Sequence, residues 1–248
     1  MNTWFKIKFH SLKMLRLLWY GARYSVNKWK TIDGIHVPVY LNYGYSVLRF
    51  IDNGEYEICE ISIIKKTLSR QDTVLELGTG IGFVSAYCAK QIGSSRVFTY
   101  EGNPSLAPLI KELYNKNKVS PQAHTALLGT ANGTKIFYKN KSSFLASSAG
   151  AIGGKGHTTF TVEEKNLNEE ILRLQPTYLV MDIEGGEYDI FKIIDFQSIT
   201  KIQFELHPAV LNQQQVDFIF EKLKQEKFVR STAFNFSHNF YFIKEDSK

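Results

Sequence analysis

The chain has 248 residues, 44% of them apolar and 22% charged, enough to bury a core without covalent staples. Cys59 and Cys88 are its only cysteines, which excludes a disulfide framework or a cysteine-built zinc site and points to a reducing, cytoplasmic compartment. The net charge of +6 lies in the first 30 residues, where seven lysines and arginines meet no acid; this +7 arm leaves the remainder at −1, and a body without a basic face argues against nucleic acid as a partner.

Residues 1–31 form a basic and apolar arm, with Trp4, Phe5, Ile7 and Phe9 followed by Leu12, Leu15, Leu18 and Trp19. Lys13 and Arg16 interrupt the apolar run, which is too short to span a bilayer and lacks the clean apolar core of a leader peptide. On a helix Leu12, Leu15, Leu18 and Trp19 share a face. Two uses remain open: packing on its own domain or on a second subunit of a homo-oligomer, and peripheral contact with the inner membrane surface.

Residues 32–248 read as one domain. A lead-in over 32–50 carries the turn signals "DG" and "NYG", and Ile58, Ile61, Ile64 and Leu68 then follow a helical period. Thr73–Leu77 is a strand, "GTGIG" a glycine turn, Phe83–Ile92 a helix and Arg96–Tyr100 a second strand. Asn103 and Pro104 open a helix running to about Asn117. "AHTALLGT" reads as a third strand and "TKIFYKN" as a fourth, in an insertion. Residues 139–157, rich in Ser and Gly, form a long loop. A short strand and helix follow over "TTFTVEEKNLNEEILRL". Next come the buried strand "TYLVMDI", the helix "GEYDIFKII", the strand "KIQFELH" and a helix over Gln213–Lys224. "KFVRSTAF" and "HNFYFIK" close the chain as an antiparallel hairpin. Such alternation predicts an α/β fold: a mostly parallel sheet, helices on both faces and one reversed strand near an edge.

The glycine turn is the first chemical signal. Gly78, Gly80 and Gly82 are spaced G-x-G-x-G, not G-x-G-x-x-G as in the dinucleotide fingerprint. Glu76 stands two residues before Gly78, where a carboxylate opposes a pyrophosphate and suits an ammonium group. Glu101 closes the second strand, where an acid can accept both ribose hydroxyls. Glu76, Gly78, Gly80, Gly82, Glu101 and Asn103 therefore read as a site for S-adenosylmethionine, whose far end is an amino acid. An NAD-dependent oxidoreductase or epimerase is the alternative, weakened by the glycine spacing.

Residues 72–103 resemble the cofactor motifs of class I methyltransferases. "DIEGGE" over 182–187 is similar to the D-[IV]-E-G-x-E signature of the FkbM family of O-methyltransferases, and "IQFELHP" and "NGEYEICEI" also resemble that family. The likeness covers roughly residues 50–210. It implies a Rossmann-like, mostly parallel seven-stranded sheet, S-adenosylmethionine as donor, and a hydroxyl acceptor on a sugar, glycan or natural product. Where the family more often has Asp-x-Gly-Ala-Asn, this chain has Glu76-Leu77-Gly78-Thr79-Gly80, so the role of that asparagine does not pass to Gly80.

At the end of "YLVM", Asp182 and Glu184 project at the sheet rim, where open parallel sheets bind ligands. Glu187 falls in the first turn of the next helix, a position favoured by the helix dipole, and reads as structural. His207, after "FELH", is a candidate base as a neutral imidazole, oriented by Glu205 or Asp182. Asp182, Glu184 and His207 are thus the catalytic candidates, with Asp182 also beside the cofactor. A magnesium ion on these three is conceivable, but the acids are too few to require one and no metal is assigned. Tyr56 and Glu57 offer a weak signal toward the methionine end of the cofactor. The acceptor pocket is assigned to residues 32–56 and 139–157, with His157 read as an exposed loop residue. A methyltransferase-like module that only binds at a membrane surface is the remaining alternative.

Overall fold

The computed structural model describes residues 3–140, 147–148 and 157–245, and the side chains of 13–136, 138 and 159–245. Most of the Ser/Gly loop expected over 139–157, His157's side chain included, lies outside these residues. The chain opens with helix α1 (Thr3–Val26) and the hairpin β1 (Trp29–Ile32) and β2 (Ile35–Pro38), which turns at Asp33-Gly34. Helices α2 (Tyr45–Asn53) and α3 (Ile58–Thr67) follow. Then come β3 (Val74–Leu77), α4 (Phe83–Ile92), β4 (Val97–Tyr100), α5 (Ala107–Asn117) and β5 (Gln122–His124). The insertion holds β6 (Ala126–Gly129), β7 (Gly133–Asn140), β8 (Ser147–Ser148) and β9 (His157–Asn166). The remainder is α6 (Leu167–Leu174), β10 (Tyr178–Met181), α7 (Glu187–Ile193), β11 (Lys201–Glu205), α8 (Gln213–Gln225), β12 (Phe228–Arg230) and β13 (Asn239–Lys244).

The main sheet has seven strands in the order β12-β13-β11-β10-β3-β4-β5. Pairings from β11 through β5 are all parallel, whereas β13 is antiparallel to both neighbours, so the sheet is mixed with one reversed strand second from its edge. A second sheet, β6-β9-β7-β8, grows from the insertion.

Three segments differ from the sequence reading. "AHTALLGT" is two strands: the chain leaves the main sheet after His124 and enters the second sheet at Ala126. The lead-in contains α2, a short helix anchored by buried Leu48 and Ile51, too few apolar positions to announce a period. The strand before α6 has ten residues, because it carries the whole β7 pairing and that of β6.

The central strands are buried on both faces, as parallel strands under helices must be. Val74, Val97, Tyr178 and Val180 pack toward the side holding α2 to α5; Leu75, Leu77, Leu179, Met181, Ile202 and Phe204 pack toward α6, α7 and α8. This alternation sends Glu76, Gln203 and Glu205 to the first side with Val74 and Val180. At the amino ends of the strands, Asp72 accepts from Ser69 N (2.6 Å), Thr177 Oγ1 (2.9 Å) and Lys201 Nζ (2.7 Å), tying β3, β10 and β11 together.

Asp72 is nearly buried and Lys201 is its ion-pair partner. Asp72→Ala leaves that ammonium unpaired and is expected to cost about 3–5 kcal/mol in chemical denaturation, with Asp72→Asn costing less.

Candidate active site

The first strand–helix turn and the end of β10 touch. Asp182 N donates to Leu77 O (2.9 Å), and Gly78 N donates to Tyr100 O (2.9 Å). Gly78 has φ +89°, and a Cβ there would stand 1.7 Å from the carbonyl oxygen of Asp182. Only glycine fits this crossing. Gly80, at φ +55°, lines a cavity of about 570 Å³ that runs over the carboxyl ends of β3, β4 and β10. Its N–H donates to Glu101 Oε2 (2.9 Å), and Asn103 N donates to Glu101 Oε1 (2.8 Å). A carboxylate has about four lone-pair sites, so Glu101 retains acceptor capacity toward the cavity it lines.

Glu76 is buried beneath the turn and accepts from the Thr99 hydroxyl. Burial raises its pKa to about 8, against the hydrogen bonds of Thr99 and Ser85. Burial likewise raises Glu101 to about 7, opposed by the backbone N–H groups of Asn103, Gly80 and Thr79. Gly82 precedes α4 as its cap residue, and Asn103 is wholly buried, with its side chain accepting from Ser105 N (3.1 Å). These two shape the turn and hold Glu101; neither borders the cavity.

At the other end of the cavity the rim acids converge on His207. Its Nε2 lies 3.5 Å from Asp182 Oδ1 and 3.6 Å from Glu184 Oε2, and its Nδ1 lies 2.7 Å from Glu187 Oε1. The ring is therefore oriented by Glu187, not by Asp182 or Glu205. Glu187 is fully buried at the start of α7, and its Oε1 also accepts from Gly185 N (3.1 Å). Burial alone would lower the imidazole pKa, but Glu187, Asp182 and Glu184 raise it to about 9. The sequence expectation was a neutral imidazole; in the absence of another cation the neighbouring acids favour the protonated ring, against burial, which favours the neutral one.

The opposite wall is supplied by α3. Tyr56, Glu57 and Glu60 line the cavity, so the weak "GEYE" signal does reach it, and Glu60 joins without having been singled out. Burial raises Glu57 and Asp182 well above the carboxylate range, with neighbouring acids adding to it, and brings Glu60 to about 7. Glu57 and Glu184 stand at φ +52° and +50°, a left-handed conformation that costs a non-glycine residue on the order of 1 kcal/mol or more. Two acids of one cluster are thus kept in place against local preference. Among the described residues, none of these carboxylates forms an ion pair with lysine or arginine, although Lys135 and Lys192 also border the cavity.

The Tyr-x-x-x-Lys pair expected of an oxidoreductase occurs at Tyr24–Lys28, Tyr114–Lys118 and Tyr188–Lys192. None of the three tyrosines borders the cavity, and Lys192 Nζ lies over the Tyr188 ring at 5.2 Å.

Residues 76–231, more than half of the chain, match the family model described as the methyltransferase FkbM domain. No curated protein matches the sequence. Among solved structures, a methyltransferase of Pyrococcus furiosus shares 14% identity over 94% of this chain and 98% of its own, at a TM-score of 0.48. A precorrin-6y C5,15-methyltransferase of Geobacter metallireducens shares 13% over 76% and 87%, at 0.45. The magnesium protoporphyrin IX methyltransferase of Synechocystis, solved with bound SAM, shares 12% over 76% and 77%, at 0.41.

The Glu187–His207 pair has a titration signature. With a folded pKa above the ordinary 6.5, His207 contributes stability that is complete below about pH 6.5 and lost as pH climbs through about 9. NMR of the His207 ring is expected to show a midpoint near 9, and Glu187→Gln to move it down by a unit or more. A midpoint unchanged in that variant would remove Glu187 from the role.

Proposed function

The chain belongs to the FkbM methyltransferase family and is a methyltransferase, and on that premise we propose that it transfers a methyl group from S-adenosylmethionine to a hydroxyl of a sugar, glycan or natural-product acceptor. One observation carries the choice of donor: the cavity is walled by Glu76, Glu101, Glu57, Glu60 and Asp182 around a glycine turn. Two like charges about 4 Å apart repel by roughly 4 kcal/mol at an effective dielectric of 20, so a pyrophosphate is disfavoured here and a cationic ligand is favoured. Glu101 offers acceptor positions for a ribose diol, Gly80 leaves room at the turn, and Glu76 stands beneath it, where an arriving cation would favour its ionised form. When bound, S-adenosylmethionine supplies an electrophilic methyl group. The chain's part is to hold an acceptor oxygen in line and receive its proton at Asp182 or Glu184. In-line positioning is worth about 7–11 kcal/mol at best and a base about 3–5 kcal/mol, so cavity shape outweighs either acid.

The arm gives a second proposal, an anionic lipid surface as partner. Leu17, Tyr20 and Tyr24 pack on the core, with Tyr24 Oη donating to Asp52 (2.6 Å) and Arg16 Nη1 to Tyr45 Oη (2.8 Å). Met14, Leu15 and Leu18 are 63–70% exposed on the other face, beside half-exposed Trp19. An exposed apolar strip within a +7 segment matches the interfacial helix pattern. Among the described residues no helix is long and apolar enough to cross a membrane.

Calorimetric titration with S-adenosylhomocysteine is expected to give micromolar binding where NAD gives none; absence of both heat and thermal shift would refute the donor assignment. Affinity should rise as pH passes about 7, because the ionised Glu101 is the better acceptor. Glu101→Gln should lose roughly ten- to a hundredfold and flatten that rise. Asp182→Ala should lower transfer by about 10² to 10⁴. For the arm, vesicles containing anionic lipid should pellet the full chain and release Leu15→Glu/Leu18→Glu, while neutral vesicles pellet neither; equal pelleting of both proteins would sink the lipid reading.

A further inference from the structure

Asp182, Glu205 and His207 each present one donor atom, and the three atoms lie within 4.8 Å of one another. They stand at the carboxyl ends of β10 and β11. Nε2 of His207 faces Asp182 Oδ1 and Glu184 Oε2 at 3.5 and 3.6 Å, and a cation that displaces its proton would meet a lone pair there, with Nδ1–H donated to Glu187. These separations are long for hydrogen bonds. The separation from Asp182 is close to the spacing of donors that share one ion, since two atoms about 2.1 Å from a metal lie roughly 3.0–3.4 Å apart at bond angles of about 90–110°, and the Glu205 donor lies within 4.8 Å of both. Metal-bound histidines are typically held in this way, by a carboxylate on the other ring nitrogen.

Independent signs of a missing partner lie around the set. Asp182 Oδ1 is buried and makes no hydrogen bond. Asn239 pairs directly across from Glu205 in the β11–β13 register, so both side chains leave the sheet on the same face. Asn239 is only 7% exposed and leaves its Oδ1 without a hydrogen-bond partner, although its side chain also bonds Glu60. A buried acceptor beside uncompensated carboxylates is expensive unless a cation faces it.

We propose that Asp182, Glu205 and His207 bind a divalent metal ion, with Glu187 orienting the imidazole from outside the coordination sphere. The mixed imidazole–carboxylate donor set suits Mn²⁺, Fe²⁺ or Zn²⁺ better than Mg²⁺. Binding of the ion does not depend on the methyltransferase reading; its role does. In that role an acceptor hydroxyl on the ion becomes more acidic and passes its proton to Glu184, which is half exposed. Asp182 and His207 are then ligands, and Glu184 alone receives the proton.

The test uses the full chain after chelation and desalting, without S-adenosylmethionine. Titration with Mn²⁺, followed by loss of the free-ion EPR signal, should show one site per chain, emptied by Zn²⁺. His207→Ala and Glu205→Gln should abolish it, Glu187→Gln should weaken it by about 10- to 100-fold, and the exposed Glu163→Gln should leave it unchanged. Binding of S-adenosylhomocysteine by the variants confirms that they are folded. Wild-type protein that binds S-adenosylhomocysteine but neither Mn²⁺ nor Zn²⁺ overturns the proposal and spares the donor assignment, as does a folded His207→Ala that binds Mn²⁺ as tightly as wild type. Metal binding without S-adenosylhomocysteine binding upholds the metal site and overturns the donor assignment instead.

Discussion

The contact between Gly78 and the carbonyl of Asp182 joins the two halves of the site. A turn with any side chain at position 78 would have to stand away from β10, because 1.7 Å is inside every contact radius. Without that crossing, the Glu101 carboxylate and the rim acids would not face one cavity. The parallel register of β3 with β10, Val74 with Tyr178 through Leu77 with Met181, delivers the two segments at the same height, and the glycine closes the gap. Asp72 and Lys201 pin the same strands at their other ends. The site is thus a rim feature whose geometry is decided by how the sheet is laid down beneath it.

Charge is the second organising fact. Asp182, Glu184, Glu187 and Glu205 gather about one histidine, Glu57 and Glu60 line the same cavity from its other wall, and burial raises four of these acids above their ordinary range. Self-repulsion of this kind is a cost to the empty fold and a gain to any cation that enters. The left-handed backbone at Glu57 and Glu184 belongs to the same account, since strain at functional positions persists only where the surroundings over-determine it.

Much of this was legible in the sequence, for identifiable reasons. The strand–helix alternation announced the sheet, since its strands are apolar on both faces and bounded by turns. The glycines, Glu101 and the D-I-E-G-G-E stretch lie within short, locally patterned segments, and Asp182, Glu184 and His207 do converge. The left-handed turn that carries Glu184 to His207 was not legible, because it lies beyond the end of β10 at Met181. The bond between Glu187 and His207 was hidden because it links a helix start to a strand end 20 residues away. Glu60 was hidden because a buried glutamate on a helix looks, in sequence, like a solvated one. The break at Thr125 was hidden because a change of sheet leaves β-prone residues on both sides.

The reversed strand has a consequence for the order of assembly. In the main sheet β12 pairs only with β13, and β13 lies between it and β11, so the free margin of β11 cannot be covered until the last strand has been synthesised. A nascent chain at that stage exposes an unpaired parallel sheet border, the kind of surface that captures other extended chains. Closure by β13 brings in Asn239 beside Glu205, so the same event that removes this hazard also completes the acidic rim.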